Sequence, residues 1–94
     1  MEIAQFQQLI RDRYYATDAA RGPAATFLWL TEEFGELAEA LGKRERGEDV
    51  HDQLEDEFAD VLAWLATLAN ITEIDLEAAI RRKYVDSGGP EGTK

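Results

Sequence analysis

The sequence has no cysteine, no long uninterrupted apolar run and few basic residues. The absence of cysteine excludes disulfides and thiolate metal sites. Charged residues interrupt every apolar run well short of the length that a membrane span needs. The segment from Met1 to Gln5 contains an acid and no basic stretch leading into an apolar one, so we expect no signal peptide. A soluble, cytoplasmic protein is the resulting expectation.

Negative charge dominates the composition. The chain has 20 Asp and Glu against 10 Lys and Arg, which gives a net charge of −10. A nucleic-acid-binding protein normally presents a basic face, because contacts with phosphates supply much of its affinity. We therefore expect no direct binding of nucleic acid. An acidic protein can still bind phosphates where divalent cations lie between the two.

Apolar residues recur at helical spacing in four segments, and turn signals separate these segments. The predicted helices cover about residues 2–17, 23–46 and 49–70, and a fourth follows Asp75 and contains Tyr84. Residues 18–23 are predicted to form a turn, with Pro23 in the first turn of the second helix. Asp49 and Asp75 are the predicted N-caps of the third and fourth helices.

The sequence therefore predicts an all-α fold. We expect a four-helix bundle with short loops over residues 1–86 and a flexible tail over residues 87–94. A lone domain of 94 residues buries a smaller share of its surface than a larger one. Because helices with two apolar faces would gain by pairing with a second copy, we expect a homodimer or a dimer of dimers.

Two pairs of carboxylates form the main candidate site. Glu33 and Glu36 are three residues apart on the second predicted helix, as are Glu57 and Asp60 on the third, so each pair shares one helical face. In an antiparallel hairpin the two pairs come opposite each other. Like charges about 4 Å apart repel by about 1 kcal/mol even in water, whereas oxygen ligands suit Mg²⁺ or Mn²⁺. The alternative is an ordinary solvated acidic face.

At these residues the sequence resembles a known family. Glu32, Glu33 and Glu36, followed by Glu57 and Asp60, are similar to the EExxE and ExxD signature of MazG-like, all-α nucleoside triphosphate pyrophosphohydrolases. The resemblance extends over nearly the whole chain, through the strings WLTEEFGELAEAL, EDEFADVLAWLATLAN and IDLEAAIRRKY.

This resemblance implies a magnesium-dependent hydrolase that cleaves between the α and β phosphates of a nucleoside triphosphate, as a house-cleaning enzyme of the nucleotide pool. It implies that Glu33, Glu36, Glu57 and Asp60 hold the metal, and that Glu32 activates water. A phosphoribosyl-ATP pyrophosphohydrolase is a narrower alternative. A non-catalytic, acidic helical interaction module is the alternative from a different class.

Trp29 and Trp64 are candidates for binding the nucleobase. Trp29 lies four residues before Glu33, and Trp64 lies four residues after Asp60. In the antiparallel register both tryptophans fall at the same end of the carboxylate cluster, where a base could lie between their planes. Packing in the core or in an oligomer interface is the alternative for both rings.

Two cations, Arg21 and Lys83, are candidates for contacts with the substrate. In many relatives an Asn and then an Arg that contact the substrate follow the lysine of the fourth helix. Here the residues after Lys83 are Tyr84 to Ser87, which supply neither. The lysine is present, but this end of the chain lacks two of the residues through which those relatives contact phosphate and base. A plain surface charge is the alternative for both cations.

Overall fold

The computed structural model describes residues 1–91 of the chain. Its helices are α1 Ile3–Arg21, α2 Pro23–Glu45, α3 His51–Ile71 and α4 Leu76–Ile80, and α4 continues directly as a π-helical segment, Arg81–Asp86. Residues 1–91 contain no strand, so the all-α prediction is confirmed. No helix among them combines the length and the apolar character needed to cross a membrane. The last residues of the predicted tail, 92–94, lie outside the described part.

Local signals account for most of the helix boundaries. Pro23 is the first residue of α2, a position where its missing N–H leaves no hydrogen bond unmade. Asp75 caps α4, because its side chain accepts a hydrogen bond from the Ala78 N–H at 3.1 Å. Asp49 is not the N-cap of α3 as predicted, since the observed N-cap is the next residue, Val50.

Helix α1 is longer than predicted. Residues 18–21, expected in a turn, form the last turn of this helix, and the chain changes direction only at Gly22. The φ angle of Gly22 is 84°, which glycine adopts without a steric penalty. Asp18 stabilises this last turn through a tertiary contact, because the Thr67 hydroxyl of α3 donates a hydrogen bond to its Oδ2 at 3.0 Å.

Helix α3 is central to the fold, because it packs against both α1 and α2. Helix α4 packs against α1. The buried apolar residues are few, and most of them are small: Ile10, Leu30, Ala40, Ala66 and Ala69. Several large apolar side chains of α2 and α3 stay exposed: Phe27, Leu28, Trp29, Phe34, Leu41, Phe58, Leu62 and Leu65. The core of a single chain is therefore small, as expected at this length.

Candidate active site

The antiparallel packing of α2 and α3 brings the two carboxylate pairs together. Glu33 and Glu36 extend from α2, and Glu57 and Asp60 extend from α3. One carboxylate oxygen from each of the four residues lies within 4.8 Å of the other three. Glu33 and Glu57 are partly buried, whereas Glu36 and Asp60 are exposed. The structure thus brings together all four residues that the sequence singled out as metal ligands.

The electrostatics of this cluster are unfavourable without a cation. The Oε2 atoms of Glu33 and Glu57 are buried, and neither has a hydrogen-bond partner within residues 1–91. Burial, followed by the negative charge of Glu36, raises the pKa of the Glu33 carboxyl and that of the Glu57 carboxyl above the usual value of 4.5. Folding therefore makes the charged form of both groups less favourable.

The ligand chemistry of the cluster fits a hard divalent cation. All four donors are carboxylate oxygens, which suit Mg²⁺ or Mn²⁺ better than softer metals. Two buried oxygens, one on Glu33 and one on Glu57, have no hydrogen-bond partner in the described part of the chain, and they would gain a counter-charge from such an ion. The cluster can therefore hold a metal ion, and the ion would remove the main cost of bringing the four acids together.

Glu32 is placed beside the cluster and does not join the group of converging acids. It precedes Glu33 on α2, and successive side chains of an α-helix project about 100° apart. Its side chain is exposed. Its assignment as the residue that activates water stays a prediction.

The two tryptophans lie together as their spacing indicated, but they stack on each other. The ring centroids of Trp29 and Trp64 are 6.2 Å apart, and the ring planes differ by 12°. A base between two rings would need about 7 Å between the ring planes, because carbon atoms in contact are about 3.5 Å apart. This arrangement leaves no room for a base between the rings. Contact of a base with another face of either ring stays a prediction.

A second polar centre joins α1, α2 and α3, and of its residues only Arg21 was a candidate from the sequence. Asp18 is only 3% exposed, and its Oδ1 and Oδ2 accept hydrogen bonds from Arg21 Nη2 and Thr67 Oγ1, both at 3.0 Å. Arg21 Nη1 also donates to Thr26 Oγ1 at 3.2 Å. The guanidinium carbon of Arg21 lies 4.9 Å from the ring centroid of Trp64. We call these four polar residues, Asp18, Arg21, Thr26 and Thr67, the Asp18 network.

A cavity of about 370 Å³ opens between α1 and α3 against the Asp18 network. Its lining consists of Ile10, Tyr14, Thr17, Asp18, Arg21, Ala63, Trp64 and Thr67. Trp64 follows Asp60 by one helical turn, so the cavity and the carboxylate cluster are neighbours along α3. The volume falls in the range of about 300–1,000 Å³ that small-molecule sites occupy.

Neither of the two candidate cations pairs with the carboxylate cluster. Among residues 1–91, the ion pair of Arg21 is with Asp18, and Lys83 forms none. The Lys83 ammonium group lies 5.5 Å from the ring centroid of Tyr84, on the π-helical segment. Contacts of these cations with the substrate stay predictions.

Comparison with known families agrees with this geometry. A family model for the MazG nucleotide pyrophosphohydrolase domain matches residues 21–85, a range that includes both carboxylate pairs and both tryptophans. No curated protein matches the chain. The match covers more than half of the sequence, and the acidic cluster inside it is able to hold the metal ion on which this family depends. The chain therefore belongs to the family of MazG nucleotide pyrophosphohydrolase domains.

Proposed function

We propose that this chain is a magnesium-dependent pyrophosphohydrolase that converts a ribo- or deoxyribonucleoside triphosphate and water into the monophosphate and pyrophosphate, as part of nucleotide-pool house-cleaning. One observation carries the proposal: four carboxylates converge from two helices, and two of them bury an oxygen with no partner in the described part of the chain. The functional domain is proposed to end at residue 86, where the π-helical segment ends.

Glu33, Glu36, Glu57 and Asp60 are the residues proposed to hold the ion. When bound there, Mg²⁺ would neutralise part of the triphosphate charge and stabilise the charge that develops on the leaving pyrophosphate. Without a cation, the same four side chains would repel a triphosphate. Binding of the ion and binding of the substrate are therefore expected to be coupled, which explains how a chain with a net charge of −10 handles phosphates.

Glu32 is the proposed general base. Its exposed carboxylate lies on α2 next to the cluster, where it can accept a proton from the attacking water. The water oxygen forms a new bond to the α phosphorus, while the bond from that phosphorus to the oxygen bridging to the β phosphate breaks. The electron pair of that bond leaves with pyrophosphate, and the proton goes to Glu32.

The cavity between α1 and α3 is the proposed place of the nucleoside. Asp60 and Trp64 are separated by about 6 Å along the axis of α3, a distance that the phosphate chain of a nucleotide can span. Trp64 supplies an aromatic wall, and Tyr14 and Thr17 supply hydroxyl groups. Trp29 supports that wall by stacking on Trp64.

A homodimer or a dimer of dimers is the proposed active assembly. The exposed apolar residues of α2 and α3 include Phe58, which is 58% exposed and adjacent to Glu57. A single chain of this length leaves such surface uncovered, whereas a second copy would bury it. Sedimentation equilibrium should show dimers or tetramers for the wild type and a shift towards monomer for Phe58→Glu. A wild type that stays monomeric at micromolar concentration would contradict this part of the proposal.

Incubation of the pure protein with a panel of nucleotides and Mg²⁺, followed by measurement of pyrophosphate release, tests the activity. The proposal requires turnover that depends on the divalent ion. The variant Glu36→Gln should lose both turnover and calorimetric ion binding, and Glu32→Gln should lose turnover while it keeps ion binding. The matched control is Glu39→Gln on the same helix, which is exposed and paired with Lys43.

The control should keep both ion binding and turnover. Ion binding without turnover of any nucleotide would instead support the non-catalytic interaction module. Absence of both in the wild type would contradict the metal site itself.

A further inference from the structure

We propose that Asp18 is a positioning residue for nucleoside binding, an inference that rests on the proposed function. Asp18 holds the guanidinium group of Arg21 against Trp64, at the wall of the α1–α3 cavity. From this position Arg21 donates hydrogen bonds to an oxygen of the nucleoside. Neither the family match nor the metal cluster requires this role for Asp18. It follows from the contacts of the Asp18 network.

Asp18 is held in place from two helices. A carboxylate that is 3% exposed is unfavourable unless it is paired and hydrogen bonded. Arg21 of the same helix and Thr67 of α3 supply one hydrogen bond to each of its oxygens. Because Thr67 belongs to a different helix from Arg21, the carboxylate is a fixed point from which the arginine is oriented.

Arg21 is fixed by three neighbours. It pairs with Asp18, donates to the hydroxyl of the fully buried Thr26, and lies over Trp64. A guanidinium group has five N–H donors, and only two of them donate to acceptors within residues 1–91. Arg21 also lines the cavity. The group is therefore rigid, and it retains donors for a ligand.

The nucleoside is a better partner for these donors than the phosphate chain. The carboxylate of Asp18 pairs with Arg21 and offsets its positive charge, which weakens the attraction of Arg21 for a polyanion. No ion pair within residues 1–91 joins Arg21 to the carboxylate cluster, where the ion that binds phosphates is proposed to lie. A neutral acceptor, such as a carbonyl oxygen of the base or an oxygen of the sugar, suits a guanidinium group whose charge Asp18 already offsets and whose remaining N–H groups have no acceptor within residues 1–91.

The test compares a nucleotide with a phosphate chain that has no nucleoside. KM and kcat are measured with the nucleoside triphosphate that the wild type hydrolyses fastest, and inorganic tripolyphosphate is used as a competitive inhibitor, all with Mg²⁺. Asp18→Asn should raise KM about tenfold, equivalent to one lost charge-assisted hydrogen bond. Tripolyphosphate should inhibit Asp18→Asn at least as strongly as the wild type, because loss of the Asp18 charge leaves Arg21 more attractive to a polyanion. The value of kcat should stay within about twofold. Asp12→Asn, exposed on the same helix, is the matched control and should change neither constant.

Three milder variants keep the test decisive if Asp18→Asn does not fold. Arg21→Lys keeps the charge but loses the planar fork of donors, and Thr67→Val keeps the shape but loses the hydroxyl. Both should raise KM without weakening inhibition by tripolyphosphate, whereas Thr67→Ser should restore KM because it retains the hydroxyl. Unchanged KM in all these variants, or equal weakening of nucleotide and tripolyphosphate, would overturn the inference.

A wild type that hydrolyses no nucleotide would contradict the proposed function. The role of Asp18 is then tested by a binding measurement instead. Binding of nucleoside monophosphates, followed through the fluorescence of Trp29 and Trp64, should then show the same order of variants. Equal affinities of all variants for every nucleoside monophosphate would overturn the role of Asp18.

Discussion

Two groups of buried carboxylate oxygens meet α3 about three helical turns apart, at Glu57 and at Thr67, and their surroundings differ sharply. On the α2 side, Glu33 and Glu57 each bury an oxygen that has no partner within residues 1–91, and burial and the charge of Glu36 raise the pKa of both carboxyls. On the α1 side, Asp18 is 3% exposed, yet both of its oxygens accept hydrogen bonds.

This difference teaches that burial alone does not decide whether an acid stabilises or destabilises a fold. The decisive factor is a partner that offers positive charge and hydrogen bonds. Arg21 belongs to the chain, so the Asp18 network is complete as soon as the chain folds. The carboxylate cluster has no cation from the described part of the chain, so under the proposed function it is completed by an ion from solution. A substitution should therefore have opposite effects on stability at the two places.

Removal of one acid from the cluster should produce the largest effect, and the effect should be on activity. Glu57→Gln is expected to lower kcat about 100-fold or more, because an ion that supplies several kcal/mol of charge stabilisation is lost. The ion-free protein should not become less stable, since a buried charge without a partner and a source of repulsion disappear together. Thermal melts with and without Mg²⁺, alongside pyrophosphate release, measure both effects.

Glu55→Gln on the same helix serves as the control, because this exposed residue pairs with His51 and lies outside the cluster. It should keep activity and the stabilisation by Mg²⁺. Ion-free Glu57→Gln could instead melt well below the ion-free wild type. That result would show that the cluster stabilises the fold without an ion, as Asp18 does, and would contradict the comparison.

Removal of the acid from the Asp18 network should have the opposite effect on stability. Asp18→Asn leaves Arg21 without its ion pair, and we expect the free energy of unfolding to fall by about 2 kcal/mol, less than for a fully buried pair because Arg21 can still reach water. For a domain of this size the midpoint should fall by about 10 °C. Asp12→Asn should stay within about 0.5 kcal/mol of the wild type. An equally small change in Asp18→Asn would contradict the structural role.

The sequence predicted the cluster well because its geometry depends on local periodicity and on one simple pairing. Two acids three residues apart share a helical face whatever the rest of the chain does. Antiparallel packing of the two helices then needs only the correct register, which the turn between Glu45 and His51 provides. The positions of Trp29 and Trp64 followed from the same register.

The Asp18 network was not predicted, because its stabilising contacts are distant in sequence. Asp18 follows Tyr14 by one helical turn, and no helix breaker precedes Gly22, so an unbroken helix was one available interpretation of this segment. A cluster of small and polar residues before a Gly-Pro pair favoured a turn instead. The contact that decides between them, from Thr67 to Asp18, joins residues on different helices.

The stacking of the two tryptophans shows a similar limit. Helical spacing predicts that Trp29 and Trp64 are near each other, but it does not predict whether two large rings separate or pack together. Packing buries aromatic surface within the chain, and the observed separation of 6.2 Å follows that outcome.

The π-helical segment was not predicted either, because nothing in the residue types between Arg81 and Asp86 indicated that the last helix would widen.

The last and smallest expected effect is a dependence of stability on pH that arises from the cluster. The pKa values of Glu33 and Glu57 are raised, by burial first and then by Glu36, so between 4.5 and the raised values the folded protein binds more protons than the unfolded chain. The free energy of unfolding of the ion-free protein should therefore fall as pH rises through that window, and stay lower above it. Saturating Mg²⁺ should reverse the slope, because the ion binds the charged carboxylates and competes with protons.

Urea unfolding across this pH range, in ion-free buffer and with Mg²⁺, measures both slopes. The double variant Glu33→Gln, Glu57→Gln provides the reference, since the remaining titrating groups of the chain are common to it and the wild type. The difference between the two proteins isolates the contribution of the two carboxyls. A wild type without ions that gains stability relative to the double variant as pH rises would mean that the chain itself stabilises these charges. The cluster would then resemble the Asp18 network, and the reason for expecting an ion there would be lost.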